Sequence, residues 1–103
     1  MVVYDAPKMV ISANQATPST FIRLGKGEHR VDIEYSSGGS GTVTPKQTTN
    51  PNNTSALQEI TKDGTAIAAT GSTSFIIAGP ICIGCIVATL SGSITVMANK
   101  IED

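Results

Sequence analysis

The chain is organised around one apolar stretch, SFIIAGPICIGCIVATLSGSITVMA, which covers residues 74–98. It contains both cysteines, one of the two phenylalanines and half of the isoleucines, and no charged side chain. The Gly-Pro pair at residues 79–80 and the Ser-Gly-Ser turn at residues 91–93 divide it into three segments, each predicted to form a strand. Its continuous apolar part is too short and too interrupted to span a bilayer as a helix. The stretch is therefore predicted to form the centre of a β-sandwich.

Alternating residues predict further strands before this stretch. In HRVDIEY, residues 29–35, apolar and charged side chains alternate with a period of two. Residues 36–41 are predicted to form a hairpin connection to a strand at residues 41–47, and Pro45 favours an edge position because proline donates no ladder hydrogen bond. The Asp-Gly pair at residues 63–64 predicts a tight hairpin turn. With no helical period over more than one turn, we predict an all-β fold, an antiparallel β-sandwich or jelly roll of about eight short strands.

Length and composition indicate one domain with a weakly charged surface. The chain has 103 residues, and we divide it into an N-terminal arm or edge segment, residues 1–20, and a single β-sandwich domain, residues 21–103. Charged residues make up 15% of the chain, against about 25% in ordinary domains, which suits a surface partly covered in an assembly. The net charge of −1 and the lack of a basic run argue against a nucleic-acid partner and a membrane anchor.

The two cysteines have C-x-x-C spacing, which is found in redox pairs and metal sites. A redox pair needs a helix N-terminus to lower the thiol pKa, whereas Cys82 and Cys85 lie in a predicted strand, where residues three apart face opposite sides. A closed zinc site needs four ligands, and the chain offers these thiols and His29. We therefore predict two buried, reduced thiols with a structural role, as expected in an intracellular assembly environment, and no metal or cofactor.

His29 is the single histidine and has two carboxylates near it in sequence, at Glu28 and Asp32. This grouping invites an acid–base role, but nothing in the pattern orients a partner for the imidazole. We predict a solvated residue at the start of a strand. No catalytic, cofactor-binding or metal-binding residue is assigned, and the chain is predicted not to be an enzyme.

The order of these elements resembles the small jelly-roll decoration, cement or head-fibre proteins of tailed bacteriophages. The likeness covers residues 20–101 and rests on short motifs separated by turns. These are G-x-x-x-V-x-I at residues 27–33, G-T-V-T at 41–44, D-G at 63–64, A-T-G at 69–71, and an S-G-x-I-x-V ending within 84–96. Residues 81–86, which are apolar, stand where such proteins often have a G-x-Y-R strand.

The resemblance implies a virion structural protein, assembled in the host cytoplasm, that binds the outer head surface and stabilises it. The implied partners are the major capsid protein and further copies of the chain, as a trimer or dimer. The expected contact segments are the arm at residues 1–20 and the polar loop at residues 48–54. The predicted partner-binding residues are Val2, Val3, Tyr4, Met9, Asn50, Pro51, Asn52 and Asn53.

Two other classes of protein remain open at this point. A receptor- or glycan-binding β-sandwich module of a phage tail or fibre would display aromatic rings for stacking on sugars, and the chain has only two tyrosines and two phenylalanines. A small enzyme would need ionisable groups that converge in a pocket, and the charged residues are few.

Overall fold

The computed structural model describes residues 2–4 and 7–102, which form nine strands and one short 3-10 helix. The helix spans Thr54–Ala56. The strands are β1 (Val2–Tyr4), β2 (Lys8–Ile11), β3 (Thr20–Tyr35), β4 (Ser40–Thr48), β5 (Gln58–Glu59), β6 (Thr61–Lys62), β7 (Thr65–Ala66), β8 (Thr73–Ser91) and β9 (Ile94–Glu102). Within these ranges, none of the helical structure is long and apolar enough to cross a membrane.

Seven of these strands form one curled sheet, in the order β2-β9-β3-β8-β4-β5, with β1 added in parallel to the start of β3. All other neighbours in the sheet are antiparallel, and β6 and β7 form a separate hairpin. The predicted all-β antiparallel fold is confirmed. The longest strand, β8, pairs with both β3 and β4 and so lies in the interior of the sheet, as the apolar stretch predicts.

The core lies on one face of the sheet and follows the period-two pattern of the sequence. In β9, Ile94, Val96 and Ala98 are buried, whereas Met97 and Asn99 between and after them are exposed. Burying one such aliphatic side chain contributes about 1.5–3 kcal/mol. The buried cluster consists of Met9, Ile11, Ile22, Leu24, Val31, Ile33, Val43, Ile60, Ile67, Ala69, Phe75, Ile83, Cys85, Val87, Ile94, Val96 and Ala98.

The break predicted at residues 79–80 is a bend within one continuous strand, and its neighbour β3 is irregular at the same place. The register between β3 and β8 shifts between Leu24 and Gly27, and β8 continues through Gly79 and Pro80 on the opposite side. A Cβ at Gly79 would overlap the carbonyl oxygen of Gly25, so glycine permits the close approach of the two backbones. The long strands β3 and β8 therefore replace the short strands that the sequence predicts.

The hairpin predicted at residues 36–41 does not form, because β3 and β4 are not neighbours. Strand β8 lies between them and pairs with both. The edge position predicted for β4 is also wrong in part, since Lys46 and Gln47 pair with β5. On the same side, the amide of Val43 donates to the carbonyl of Ala69 at 2.9 Å. Pro45 lies between these two contacts, where its missing N–H interrupts no ladder hydrogen bond.

The turn predicted at residues 63–64 is confirmed. It joins β6 to β7, with Thr61 opposite Ala66 and Lys62 opposite Thr65. Asp63 has a φ of 55°, in the left-handed region that aspartate tolerates better than most residues. The hairpin is followed by Ile67, whose amide donates to the carbonyl of Ile60 at 2.9 Å, and both of these side chains are buried in the core.

Candidate partner-binding surface

The N-terminal residues predicted to contact a partner lie along the sheet. Val2, Val3 and Tyr4 pair through their backbones with Thr20, Phe21 and Ile22 of β3 in that order. Met9 pairs with Val96 in β9, and its side chain is only 2% exposed. Residues 1, 5 and 6 of the predicted arm, and the side chains of Val2 and Tyr4, lie outside what the structure describes. Because its side chain is almost fully buried, Met9 contributes to the core in this conformation. Val3 is half-buried.

The predicted contact residues of the polar loop form a compact turn after β4. The side-chain oxygen of Asn50 accepts a hydrogen bond from the amide of Asn52 at 3.2 Å. The side-chain oxygen of Asn53 accepts from the amide of Ser55 at 3.2 Å and so caps the 3-10 helix. Asn50, Asn52 and Asn53 are exposed and Pro51 is half-buried. The oxygens of Asn50 and Asn53 thus fix the backbone, and the amide NH₂ groups of the three asparagines are the donors that a partner could meet.

The two predicted contact segments lie at the same level of the sheet, that is, at the two ends of one row of paired residues that crosses the strands. Tyr4 is opposite Ile22, which is opposite Ile83, which is opposite Gln47 at the end of β4. Neighbouring strands are spaced by about 4.8 Å, so the end of β1 and the end of β4 are about 14 Å apart. One partner surface of ordinary size could therefore contact both segments.

Two adjoining open cavities lie beside this level, between the strands and the loop. One, of about 210 Å³, is lined by Arg23, Thr49, Pro80, Ile81 and Cys82. The other, of about 190 Å³, shares Thr49 and Ile81 and is completed by Gln47, Thr48, Ala56 and Gln58. Their walls combine apolar side chains with hydroxyl and amide groups, the thiol of Cys82 and the guanidinium of Arg23.

The two cysteines occupy opposite faces of β8, as predicted. Both are free and buried. Cys85 belongs to the core cluster, and burial raises the pKa of its thiol to about 12. Cys82 lies on the other face, opposite Arg23 and Thr48 of the neighbouring strands. Among the described residues, no group of three or more histidine, cysteine, aspartate or glutamate side chains could hold a metal ion.

His29 is buried, which differs from the solvated position predicted for it. Its side chain is 7% exposed, and its Nε2 lies 2.9 Å from the carbonyl oxygen of Gly25. Because a carbonyl can only accept, Nε2 carries the proton and donates this bond. The period-two pattern explains the burial, since His29 is in phase with Val31 and Ile33, which are fully buried. The ring therefore helps to hold the bend of β3.

Two of the three aromatic rings that the structure describes are buried, and the third, Tyr35, is half-buried against the core. Phe21 and Phe75 are 0% and 4% exposed. The hydroxyl of Tyr35 lies 2.9 Å from the carbonyl oxygen of Gly41 and 2.7 Å from that of Ala69. Tyr35 thus ties the end of β3 to the start of β4 and to Ala69, which bridges β4 at Val43. These three rings do not form a platform on which a sugar could stack.

The sequence pattern missed a set of exposed apolar side chains. Val10 is 54% exposed, Ile76 60%, Met97 38% and Ile101 53%. Ile76 is the most exposed, although it lies inside the apolar stretch that the sequence predicts to be buried. Its one visible signal in the sequence is that it alternates with Phe75 and Ile77, which places it on the outer face.

Comparison with known proteins adds no relative from which a function could be transferred. No protein-family model matches the chain, and neither a curated protein nor a solved structure matches it. The geometry of the described residues therefore carries the functional argument.

Proposed function

We propose that the chain is a non-catalytic structural protein of a bacteriophage virion, which binds the major capsid protein on the outer head surface and stabilises the head. The observation that carries the proposal is that the end of β1 and the loop after β4 lie at one level of the sheet. These are the two segments that the resemblance to decoration proteins assigns to the capsid contact. A rigid scaffold that presents two contact segments together suits a protein that bridges neighbouring subunits.

The proposed mechanism is mechanical. Each copy lies across a junction between capsid subunits, after assembly in the host cytoplasm, and its core keeps the two contact segments at a fixed distance. Because many copies bind one shell, small binding energies at each site add up to a large stabilisation. The low fraction of charged residues, 15%, supports this, since such a surface is suited to being covered by capsid and by further copies in a dimer or trimer.

A glycan- or receptor-binding module of a tail fibre is the alternative from another class. Sugar-binding modules use exposed aromatic rings as stacking platforms. Phe21, Tyr35 and Phe75 are used within the fold, so no specific observation favours this alternative over the head protein.

The proposal is tested by counting copies of the chain in purified virions of the phage that encodes it. Quantitative mass spectrometry against the major capsid protein should give hundreds of copies per particle. About a dozen copies or fewer would place the protein at the tail or at a vertex, and its absence from virions would refute the proposal.

A variant tests the loop directly. Replacing Asn50, Asn52 and Asn53 together with serine removes their NH₂ donors and keeps side chains that cap turns. We expect weaker co-sedimentation with capsids stripped of the protein and an unchanged far-UV spectrum. The matched control replaces Asn99, an exposed residue of β9, with serine and should bind as the wild type does. Equal binding of all three proteins would remove the loop from the interface.

A further inference from the structure

The first half of β8 has a neighbouring strand on one side only. Residues 73–79 pair with β3, whereas β4 reaches β8 only from Cys82 onward. Within the described ranges, no strand pairs with the other edge of residues 74–78. This segment will be called the free edge.

The hydrogen-bonding groups that point outward from the free edge can be assigned. The carbonyl of Ser74 accepts from Nζ of Lys62 at 2.9 Å, so it faces away from β3. Because both backbone groups of a strand residue point to the same side and sides alternate along the strand, those of Ile76 and Ala78 face outward as well. Pro80, next in this series, has no N–H. Lysine and proline are residues that commonly block sheet edges, and here they leave a window at Ile76 and Ala78.

A groove runs beside this window, and its walls are apolar and cationic. It has a volume of about 320 Å³ and is lined by Arg30, Thr61, Lys62, Ser74, Phe75 and Ile76. Ile76 is 60% exposed at its rim. Arg30 pairs with Asp32 at 3.1 Å, but Lys62 has no carboxylate partner among the described residues. The groove thus presents one uncompensated positive charge next to an unpaired strand edge.

We propose that the free edge binds an extended, acidic segment of a partner protein as an added antiparallel strand. The backbone of the segment pairs with Ile76 and Ala78, and its side chains set the specificity. The residue opposite Ile76 points to the same face and contacts it, which favours an apolar side chain. A residue two positions away lies opposite Ser74, near Lys62, which favours a carboxylate. The preferred ligand therefore has an apolar and an acidic residue separated by one position.

A second copy of the chain fits the same edge less well. Pairing two free edges about a two-fold axis at Ile76 places Ala78 of one copy opposite Ser74 of the other. The copy then offers Lys62 only a methyl group instead of a carboxylate. Charge complementarity thus favours an acidic peptide over self-association.

The first test uses a fluorescent synthetic peptide in which valine and threonine alternate and one valine is replaced by glutamate, so that a valine and the glutamate are separated by one position. Fluorescence anisotropy should show binding to the wild-type protein, and replacing the glutamate with lysine should weaken it about fivefold or more. Two further peptides have the same side chains and carry N-methyl groups on alternate amides, in the two possible registers. Only the register that blocks the amides facing the free edge should abolish binding. No binding of the glutamate peptide, or equal binding of both methylated forms, overturns the proposal.

The second test changes the protein at matched positions. Ile76→Lys places a charge at the window and should weaken binding about tenfold or more, whereas Val10→Lys, at a similarly exposed position in β2, should leave it unchanged. Lys62→Glu should reverse the preference between glutamate and lysine peptides, whereas Lys26→Glu, at an exposed position near the bend, should not. Equal effects of Ile76→Lys and Val10→Lys contradict the proposal, and the methylated peptides decide the matter on the wild type if a variant fails to fold.

Sedimentation equilibrium tests whether a second copy of the chain, and not an acidic peptide, occupies the free edge. A wild-type dimer that Ile76→Lys converts to a monomer, and that excludes the peptide, would identify a second copy as the partner and overturn the acidic-peptide proposal. The inference does not depend on the proposed virion function, because peptide binding is measured without capsids.

Discussion

The contact between Gly84 and Phe21 provides a sharp test of the packing on the outer side of β8. Gly84 lies opposite Phe21 in the pairing of β8 with β3. A Cβ added at Gly84 would come within 2.6 Å of Cε2 of Phe21 and 2.7 Å of Cβ of Pro18. Phe21 is fully buried, so its ring cannot swing into solvent. Glycine is therefore required here by the ring that covers it.

We expect Gly84→Ala to lower the free energy of unfolding. Overpacking a closed site costs about 1–3 kcal/mol, and the reduced entropy of the unfolded chain offsets about 0.4–1 kcal/mol of that cost. The net loss of about 1–2 kcal/mol should lower the melting temperature by about 5–15 °C in a domain of this size. Urea unfolding followed by far-UV circular dichroism should show a lower midpoint with an unchanged slope.

A control and a double mutant make this prediction refutable. A Cβ at Gly71 would meet nothing within 4 Å, so Gly71→Ala should change the free energy by less than about 0.5 kcal/mol. Phe21→Leu removes Cε2, and combining it with Gly84→Ala should cost about 1 kcal/mol less than the sum of the single changes. Equal stability of Gly84→Ala and Gly71→Ala, or additive effects of Gly84→Ala and Phe21→Leu, would show that the ring of Phe21 does not exclude a Cβ at residue 84.

Three further predictions concern single residues. Because burial raises the pKa of Cys85 to about 12 from an ordinary value of 9.0, its thiol should resist iodoacetamide in the folded protein and react in urea, as mass spectrometry can show. The unfolded thiol ionises first, so the free energy of unfolding should fall as pH rises through this interval, and Cys85→Val should reduce that fall. Tyr35→Phe removes the hydroxyl from the carbonyls of Gly41 and Ala69 and should lower the urea midpoint by the equivalent of about 1–2 kcal/mol. Asp63→Ile, at a φ of 55°, should cost about 1–2 kcal/mol in the same assay, whereas Asp63→Asn should be nearly neutral.

The faces of the strands could be predicted from the sequence because a period of two fixes them locally. Val31 and Ile33 are buried as their alternation with charged residues indicates. Ile94 and Val96 are buried for the same reason. The opposite faces of Cys82 and Cys85 also follow from spacing alone. His29 obeys the same rule and is buried; the prediction that it is solvated is wrong because the phase of the strand, and not the residue type, decides its position.

The order of the strands could not be predicted, because pairing partners are distant along the chain. The glycine-rich segment at residues 36–39 has the composition of a hairpin loop, and local chemistry alone favours joining the strands on either side of it. Instead β8, which begins at Thr73, lies between β3 and β4. Which strand occupies that position depends on covering β8 at residues 82–85, where both of its faces are buried. No short window of sequence contains this information.

The candidate binding edge was missed for a related reason. The sequence predicts that a strand ends at residues 79–80, so the segment before them is expected to be a short buried strand. In the structure β8 has 19 residues and its neighbour β4 has 9, so β4 cannot cover the whole length of β8. The polar loop after Thr48 ends β4 at the level of Cys82, and the edge at Ile76 is left without a neighbour as a consequence. The free edge thus follows from the mismatch in strand length, which becomes visible only once the break is known to be a bend.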